Sequence, residues 1–324
     1  MRSPSFHPSS PFFSLYLRAL FLMLLLTMLA ELRFARGQTV PLSSRISREI
    51  ETLETLQRQH APPEQIGRVW AKLGLDYQDA GEFALSEDAF NHALHLLRTD
   101  AAFSSEYATV LDNFGSLYLM YGRIPEARRL REQALAKRLE LKNPGEIARS
   151  ESHIAEVLLD EHKYKDAATH ALRALHTMEA QREPDKEDEA ATMVTLIYAL
   201  CATKRCSDGL MYARKGLEIS AAAFAQDSVQ AGYTLMAAGF AEWKQGDAAR
   251  AEDELKRGVE IFRRRQGESS RVLIEALRQY QSFLASRHQT VAARRIEDEV
   301  TSLQQPSSAS CSTCTVSAYS LARK

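Results

Sequence analysis

The stretch from Trp70 to Leu97 constrains this chain more than any other, because its spacing recurs five more times downstream. Trp70, Leu73 and Tyr77 fall at i, i+3 and i+7, one stripe of a first helix, while Phe83, Ser86, Phe90 and Ala93 give the matching stripe of a second. Asp79-Ala80-Gly81 between them is turn chemistry. Gly74 and Ser86 are small where the two helices would cross, and Ala93 leaves room for the next hairpin. One such hairpin cannot bury its own apolar faces, so the pattern demands neighbours on both sides.

The neighbours follow in order. Leu111, Phe114, Gly115, Tyr118, Ile124, Ala127 and Ala134 repeat the pattern, with Gly122 in the turn and Pro125 at the first position of the second helix, where a missing N–H costs nothing. A third copy is Ile154, Ala155, Leu158, Tyr164, Ala167, Ala171 and Ala174; a fourth is Met193, Leu196, Leu200, Cys206, Gly209, Ala213 and Gly216. Leu235, Ala238, Gly239, Gly246, Ala251, Leu255 and Gly258 make the fifth, and Leu277, Tyr280, Leu284, Ala293 and Val300 a looser sixth, with Gln281 where a small residue is usual. The units begin near Gly67, Ala108, Ala148, Ala190, Gly232 and Ile274, a period of 40 to 42 residues across 67–303.

That period, and the segment TVLDNFGSLYLMYGRIPEARRLREQALAKRLEL (109–141), resemble the long tetratricopeptide repeats of the kinesin light chain type. The resemblance implies an all-α, right-handed superhelical solenoid of helix-turn-helix repeats whose concave surface is lined mainly by first helices. It implies an interaction module and no catalysis.

Ahead of the repeats, residues 1–37 read as a targeting segment. Arg2 and Arg18 precede the apolar run ALFLMLLLTMLA (19–30), short for a membrane span but suited to a signal-peptide core, and Ala35-Arg36-Gly37 offers small residues for cleavage. Export to a periplasm or cell envelope is the expectation; the alternative is an uncleaved anchor, with Phe12 to Ala30 crossing the membrane while Arg18 snorkels. Residues 38–66 read as a linker and an amino-terminal capping helix from Ser44 to His60, stopped by Ala61-Pro62-Pro63. The chain carries net charge −1, of which 1–37 contributes +3, so the remainder is mildly acidic and has no nucleic-acid footprint.

No G-x-S-x-G, H-E-x-x-H or P-loop occurs, and the nine histidines are scattered. The chain therefore reads as non-catalytic, with neither cofactor nor metal. The acidic run Arg182 to Glu189 lacks calcium-loop spacing and reads as a solvated connection. Cys201 and Cys206 bracket the turn of the fourth unit, as buried free thiols or as a local disulfide. The Ser-rich tail 304–324 holds Cys311 and Cys314, whose spacing suits a small disulfide or half of a zinc site.

What remains is the groove. First-helix residues at the second, fifth, sixth, ninth, twelfth and thirteenth places of each unit are expected on the concave side. The first three units then contribute Arg68, Lys72, Gln78, Asp79, Asp112, Asn113, Ser116, Arg149, His153, Glu156 and Asp160, a polar and basic half. The fourth and fifth contribute Tyr198, Tyr233, Met236, Phe240 and Trp243, an apolar half that serves either as an open binding patch or as packing between units. The polar half partly resembles the carboxylate clamp of chaperone-binding tetratricopeptide domains: Asn113, Arg149 and His153 fall on clamp places, whereas Ala71 and Leu75 depart from them. A protein or peptide partner, extended and acidic, is the occupant this reading expects. Two functions follow: an exported scaffold that holds such a segment in its groove, or a membrane-anchored subunit of a bacterial-type envelope complex that works through its convex face or tail.

Overall fold

A computed structural model describes residues 42–98, 104–225, 227–265 and 271–304. The chain divides into two units, 1–48 and 49–324. Of the first, only 42–48 are among the described residues, at the start of helix α1 (Leu42–Arg58). The apolar amino-terminal run, the tail from 305 and the Cys311/Cys314 pair lie outside the described residues. No helix among the described residues is long and apolar enough to cross a membrane.

Twelve more helices follow, and no strand occurs among the described residues. They form pairs: α2 (Pro63–Asp79) with α3 (Phe83–Leu97), α4 (Ser104–Met120) with α5 (Ile124–Leu141), and α6 (Pro144–Asp160) with α7 (Tyr164–Glu179). Then come α8 (Lys186–Ala202) with α9 (Cys206–Ala223), α10 (Val229–Gln245) with α11 (Ala248–Arg265), and α12 (Arg271–Ser286) with α13 (Thr290–Gln304). Local chemistry sets the ends. Pro63, Pro125 and Pro144 stand in first turns, where no intrahelical N–H is lost. Asn143, Asp185 and Ser228 accept hydrogen bonds from the first free N–H groups of α6, α8 and α10. The acidic run before α8 is thus in part a helix cap.

Small residues let the paired helices close. At Gly74 an added Cβ would lie 2.6 Å from the Phe90 ring, and Ser86 Oγ donates to the Gly74 carbonyl at 2.7 Å. Gly239 meets Leu255 in the same way, with Leu255 eight residues into α11 as Phe90 is eight into α3. The core is a series of clusters: Ile154, Leu158, Leu175, Met193 and Leu196, then Ile197, Ala213, Ala237 and Ala241, then Leu255, Phe262, Leu277, Phe283 and Leu284. Each is shared between successive pairs, as a solenoid requires. Leu53 of α1 is fully buried, and Glu49 takes the ammonium of Lys72 on α2.

The turns inside the pairs share a device that composition hides. Two residues before each second helix the backbone is left-handed: Gly81, Gly122, His162, Lys204, Gly246 and His288. Three of the six carry a Cβ, which in this region costs an L-residue about 1–2 kcal/mol. Lys204 sits between Cys201 and Cys206, which form a disulfide and are not free thiols. That crosslink restricts the unfolded loop, so glycine's extra freedom there is small. Lys204→Gly is expected to stabilise by about 0.5–1 kcal/mol, and Gly122→Ala to destabilise by about as much, in denaturant titrations of the oxidised protein.

Curvature follows from which helices touch. The first helices α2, α4, α6, α8 and α10 contact one another in series, whereas second helices of neighbouring pairs make at most sparse contact. First helices therefore lie on the inner side of the bend.

Candidate functional site

The inner face begins with two arginines on a second helix. Along α5, Ala127, Leu130, Arg131, Ala134 and Arg138 share the buried face. Arg131 stands where the first and fifth pairs carry Phe90 and Leu255, and Arg138 where they carry Leu97 and Phe262. Both are essentially without solvent exposure, at 1% and 0%. Gly115 makes room for the Arg131 stem: a Cβ there would sit 3.0 Å from Arg131 Cγ. The guanidinium reaches from α5 to both α4 and α6. It donates to the His153 carbonyl at 2.6 Å, to Glu156 Oε2 at 2.7 Å and to Ser116 Oγ at 3.0 Å.

Arg138 bridges the same helices about two turns further along α5. It pairs with Asp112, donates to Glu146 Oε2 at 3.0 Å and Ser150 Oγ at 2.7 Å, and reaches Thr109 Oγ1 at 3.5 Å. His153 Nδ1 lies 3.1 Å from Asp112 Oδ2. Burial pushes the Asp112 carboxyl up, but His153, Arg138 and Arg131 outweigh it and hold it below the ordinary carboxylate range. Burial likewise raises Glu156, and Arg131 and His153 bring it below its usual value.

The residues expected to make the groove basic are therefore already matched. Arg68 holds Glu106 at 3.0 Å, Lys72 holds Glu49, and Arg149 holds both Asp188 at 2.6 Å and Asp185 at 3.5 Å. Asn113 is half-buried on α4, and His153 is half-buried against Asp112. Asp112 does not face the groove: at 2% exposure it belongs to the interior.

Met236 is the corresponding correction in the apolar half. Expected on the open face, it is 3% exposed, and its sulfur packs over Gly258. Asp112 and Met236 both stand three residues before a crossing glycine, Gly115 and Gly239. That place points between a pair's own second helix and the following first helix, and not into the groove. Phe240 and Trp243 are half-buried and are packing too. Tyr198 meets Phe240 at 5.1 Å, Phe240 meets Trp243 at 6.1 Å, and Trp243 meets Phe283 edge-on at 5.8 Å. The Lys244 ammonium caps the Trp243 ring at 4.2 Å. Tyr198 donates to Gln279 Oε1 at 3.1 Å, while Gln279 Nε2 donates to the Met236 carbonyl at 3.0 Å. Enclosure pushes the Tyr198 phenol up to about 12.

Of the aromatic residues Tyr198, Tyr233, Phe240 and Trp243, Tyr233 keeps a large open area, 38%. It leans edge-on against Phe262 at 5.0 Å. Its phenol is pushed up to about 12, by its enclosed position first and then by Glu275 and Glu156. Glu156 lies on α6 of the third pair and Glu275 on α12 of the sixth, and both add to the rise at Tyr233 of the fifth. Asp160, solvent-exposed on α6, is pushed up to about 6 by its partly enclosed place and by Glu156 and Glu275, against Arg131 and His162. The first helices α6, α10 and α12 thus carry Glu156, Asp160, Tyr233 and Glu275 at places that solvent reaches. Among the described residues no group of three or more His, Cys, Asp or Glu is placed to hold a metal ion.

Sequence reasoning missed Arg131, Arg138, Gln279 and Glu275. The signal for the two arginines was there, as charges at places where the first and fifth pairs carry Phe90, Leu97, Leu255 and Phe262.

Comparison with known proteins finds the same fold elsewhere. Residues 65–140 match the tetratricopeptide repeat family model. The crystal structure of the apo form of RapI aligns with a TM-score of 0.65 at 15% identity, over 84% of this chain and 94% of that one. BtubC (BKLC) from P. vanneervenii aligns with a TM-score of 0.55 at 18% identity, over 68% of this chain and 91% of that one. A Rap protein complexed with competence and sporulation factor aligns at 0.54 and 15% identity, over 83% and 87%. At these identities the likeness is one of fold. No curated protein matches the sequence.

Proposed function

We propose that this tetratricopeptide-repeat solenoid is an exported, non-catalytic scaffold that holds an extended segment of a partner protein along the inner faces of its first helices. The observation that carries the reading is the serial contact of first helices along the inner side, with Tyr233 left 38% exposed there and resting edge-on against Phe262. An extended chain laid along successive first helices would present its side chains alternately to them. The fold is the one in which a Rap protein is complexed with competence and sporulation factor. Export is supported by the apolar run behind Arg2 and Arg18, and by the Cys201–Cys206 disulfide, a bond at home in oxidising compartments.

Site-specific photo-crosslinking tests the groove. A benzophenone side chain at position 233 of the full chain is expected to capture a partner in cells, whereas the same group at exposed Met211, on second helix α9, is expected to capture none. Capture at 211 and not at 233 would move the function to the outer surface. Amino-terminal sequencing of the purified protein tests export: a start at Gln38 supports a released scaffold, and an intact Met1 supports an anchor.

A further inference from the structure

We infer that the Trp243 and Phe240 rings form a binding corner for an alkylammonium group, which Lys244 of the same helix fills in this structure as a tethered stand-in. The inference does not rest on the groove reading. Two rings and one ammonium at the carboxy-terminal end of α10 define it.

The rings are set by what stands behind them. Phe240 rests against Tyr198 at 5.1 Å, and the Tyr198 hydroxyl is itself held by Gln279 at 3.1 Å. Trp243 meets Phe283 edge-on at 5.8 Å, and Phe283 is fully buried. The two rings stand at 87° to each other with centroids 6.1 Å apart. The Lys244 ammonium lies over both, 4.2 Å from the Trp243 centroid and 5.2 Å from that of Phe240. Both rings are half-buried and Lys244 is exposed, so the corner opens at the surface.

The negative face of an aromatic ring attracts a cation, and indole attracts it most. Two faces at right angles act on the same centre. Lys244 shows that pull directly, because no carboxylate among the described residues pairs with it and the rings hold its ammonium. Lys137, Lys163, Lys186 and Lys215, by contrast, each lie on a glutamate. An exposed side chain with no ion pair to break gives way to a free cation of better fit. A quaternary ammonium suits the corner well, since it has no N–H whose hydrogen bonds to water would be lost. The ligand class is therefore an alkylammonium head, for which choline and a lysine side chain are the two chemical sources.

Fluorine NMR of the full chain grown with fluorotryptophan reads the corner directly, since the chain has two tryptophans and Trp70, 3% exposed, serves as an internal reference. Choline is expected to move the Trp243 signal and to leave that of Trp70 in place. Lys244→Ala is expected to bind choline about tenfold tighter than the wild type, because the tethered competitor is gone. The neutral analogue of choline, with carbon in place of nitrogen, is expected to move neither signal at the same concentrations. Phe240→Leu added to Lys244→Ala removes one ring face and keeps an apolar side chain; it is expected to weaken choline about tenfold, read below the melting transition of both chains. Nα-acetyl-lysinamide separates the sources: whichever cation binds tighter assigns the corner to a small quaternary head group or to a partner's lysine. A Trp243 signal that ignores both cations in Lys244→Ala, or answers the neutral analogue equally, would overturn the inference. So would a Lys244→Ala chain that binds choline no tighter than the wild type, or a Phe240→Leu chain that binds it as well as its parent.

Discussion

Arg138→Ala is expected to lower the stability of the oxidised protein by about 3–5 kcal/mol, the cost of removing one partner from a buried ion pair. Arg138 has no solvent exposure, and its removal leaves Asp112, itself 2% exposed, without the buried guanidinium that pairs with it, and frees Ser150 Oγ and Glu146. Lysine at the same place should recover little, because one ammonium cannot reach Asp112, Glu146 and Ser150 from a single planar fork. A sharper control lies in the first pair. There the two corresponding places are Leu97 and Ala71, and the same crossing packs with no charge. Arg138→Leu combined with Asp112→Ala should therefore regain most of what either single change loses, a coupling readable in a double-mutant cycle by chemical denaturation. Additive losses would mean that the two groups do not depend on each other. Arg128→Ala, whose Glu132 and Glu161 partners are paired on a solvent-reached surface, should cost no more than about 1 kcal/mol.

Phe283→Ala is expected to cost about 3–5 kcal/mol, in the range of a large aromatic deleted from a packed interior. Phe283 is fully buried and receives the edge of Trp243 from the preceding first helix, so the cavity would open at the joint between the fifth and sixth pairs. Tyr233→Ala, in the same region but on the open side, should cost about 1 kcal/mol or less and act on partner capture instead. Thermal melts of the two variants separate the interior stripe from the groove. If both lose equally, Tyr233 is an interior residue and the groove has no aromatic element.

The pairs, their order and the crossing points could be read in the chain because they depend on neighbours a few places apart. Trp70, Leu73 and Tyr77 declare a helix face by spacing alone, Gly74 and Ser86 declare a close approach by size, and Pro125 and Asn143 declare starts by backbone chemistry. What escaped depends on partners about 25 to 80 residues away. Arg131 and Arg138 look like surface residues until Glu156 and Asp112 are brought to them, and Arg149 looks like a free cation until Asp188 arrives from the next pair. The phase of the groove was misplaced at one position only, the one holding Asp112 and Met236, because a helix wedged between two neighbours has three covered sides and a periodicity argument allows it two. His162, Lys204 and His288 kept the left-handed turn without glycine, so residue type there gave no sign of the conformation.

The hydrogen bond from Tyr198 to Gln279 has a consequence for how the molecule comes apart. In a linear stack each unit is coupled only to the next, so unfolding can begin at either end and advance one unit at a time. Tyr198 belongs to the fourth pair and Gln279 to the sixth, and the same amide holds the backbone of the fifth at Met236. One side chain thus ties three units into a closed loop of contacts, so fraying of the last pair exposes the fourth as well. The carboxy-terminal half should open as a single block, with amide protons of α8, α10 and α12 exchanging at one common free energy, while the amino-terminal pairs open in sequence. Gln279→Ala should break that block into steps without removing any residue from the apolar interior.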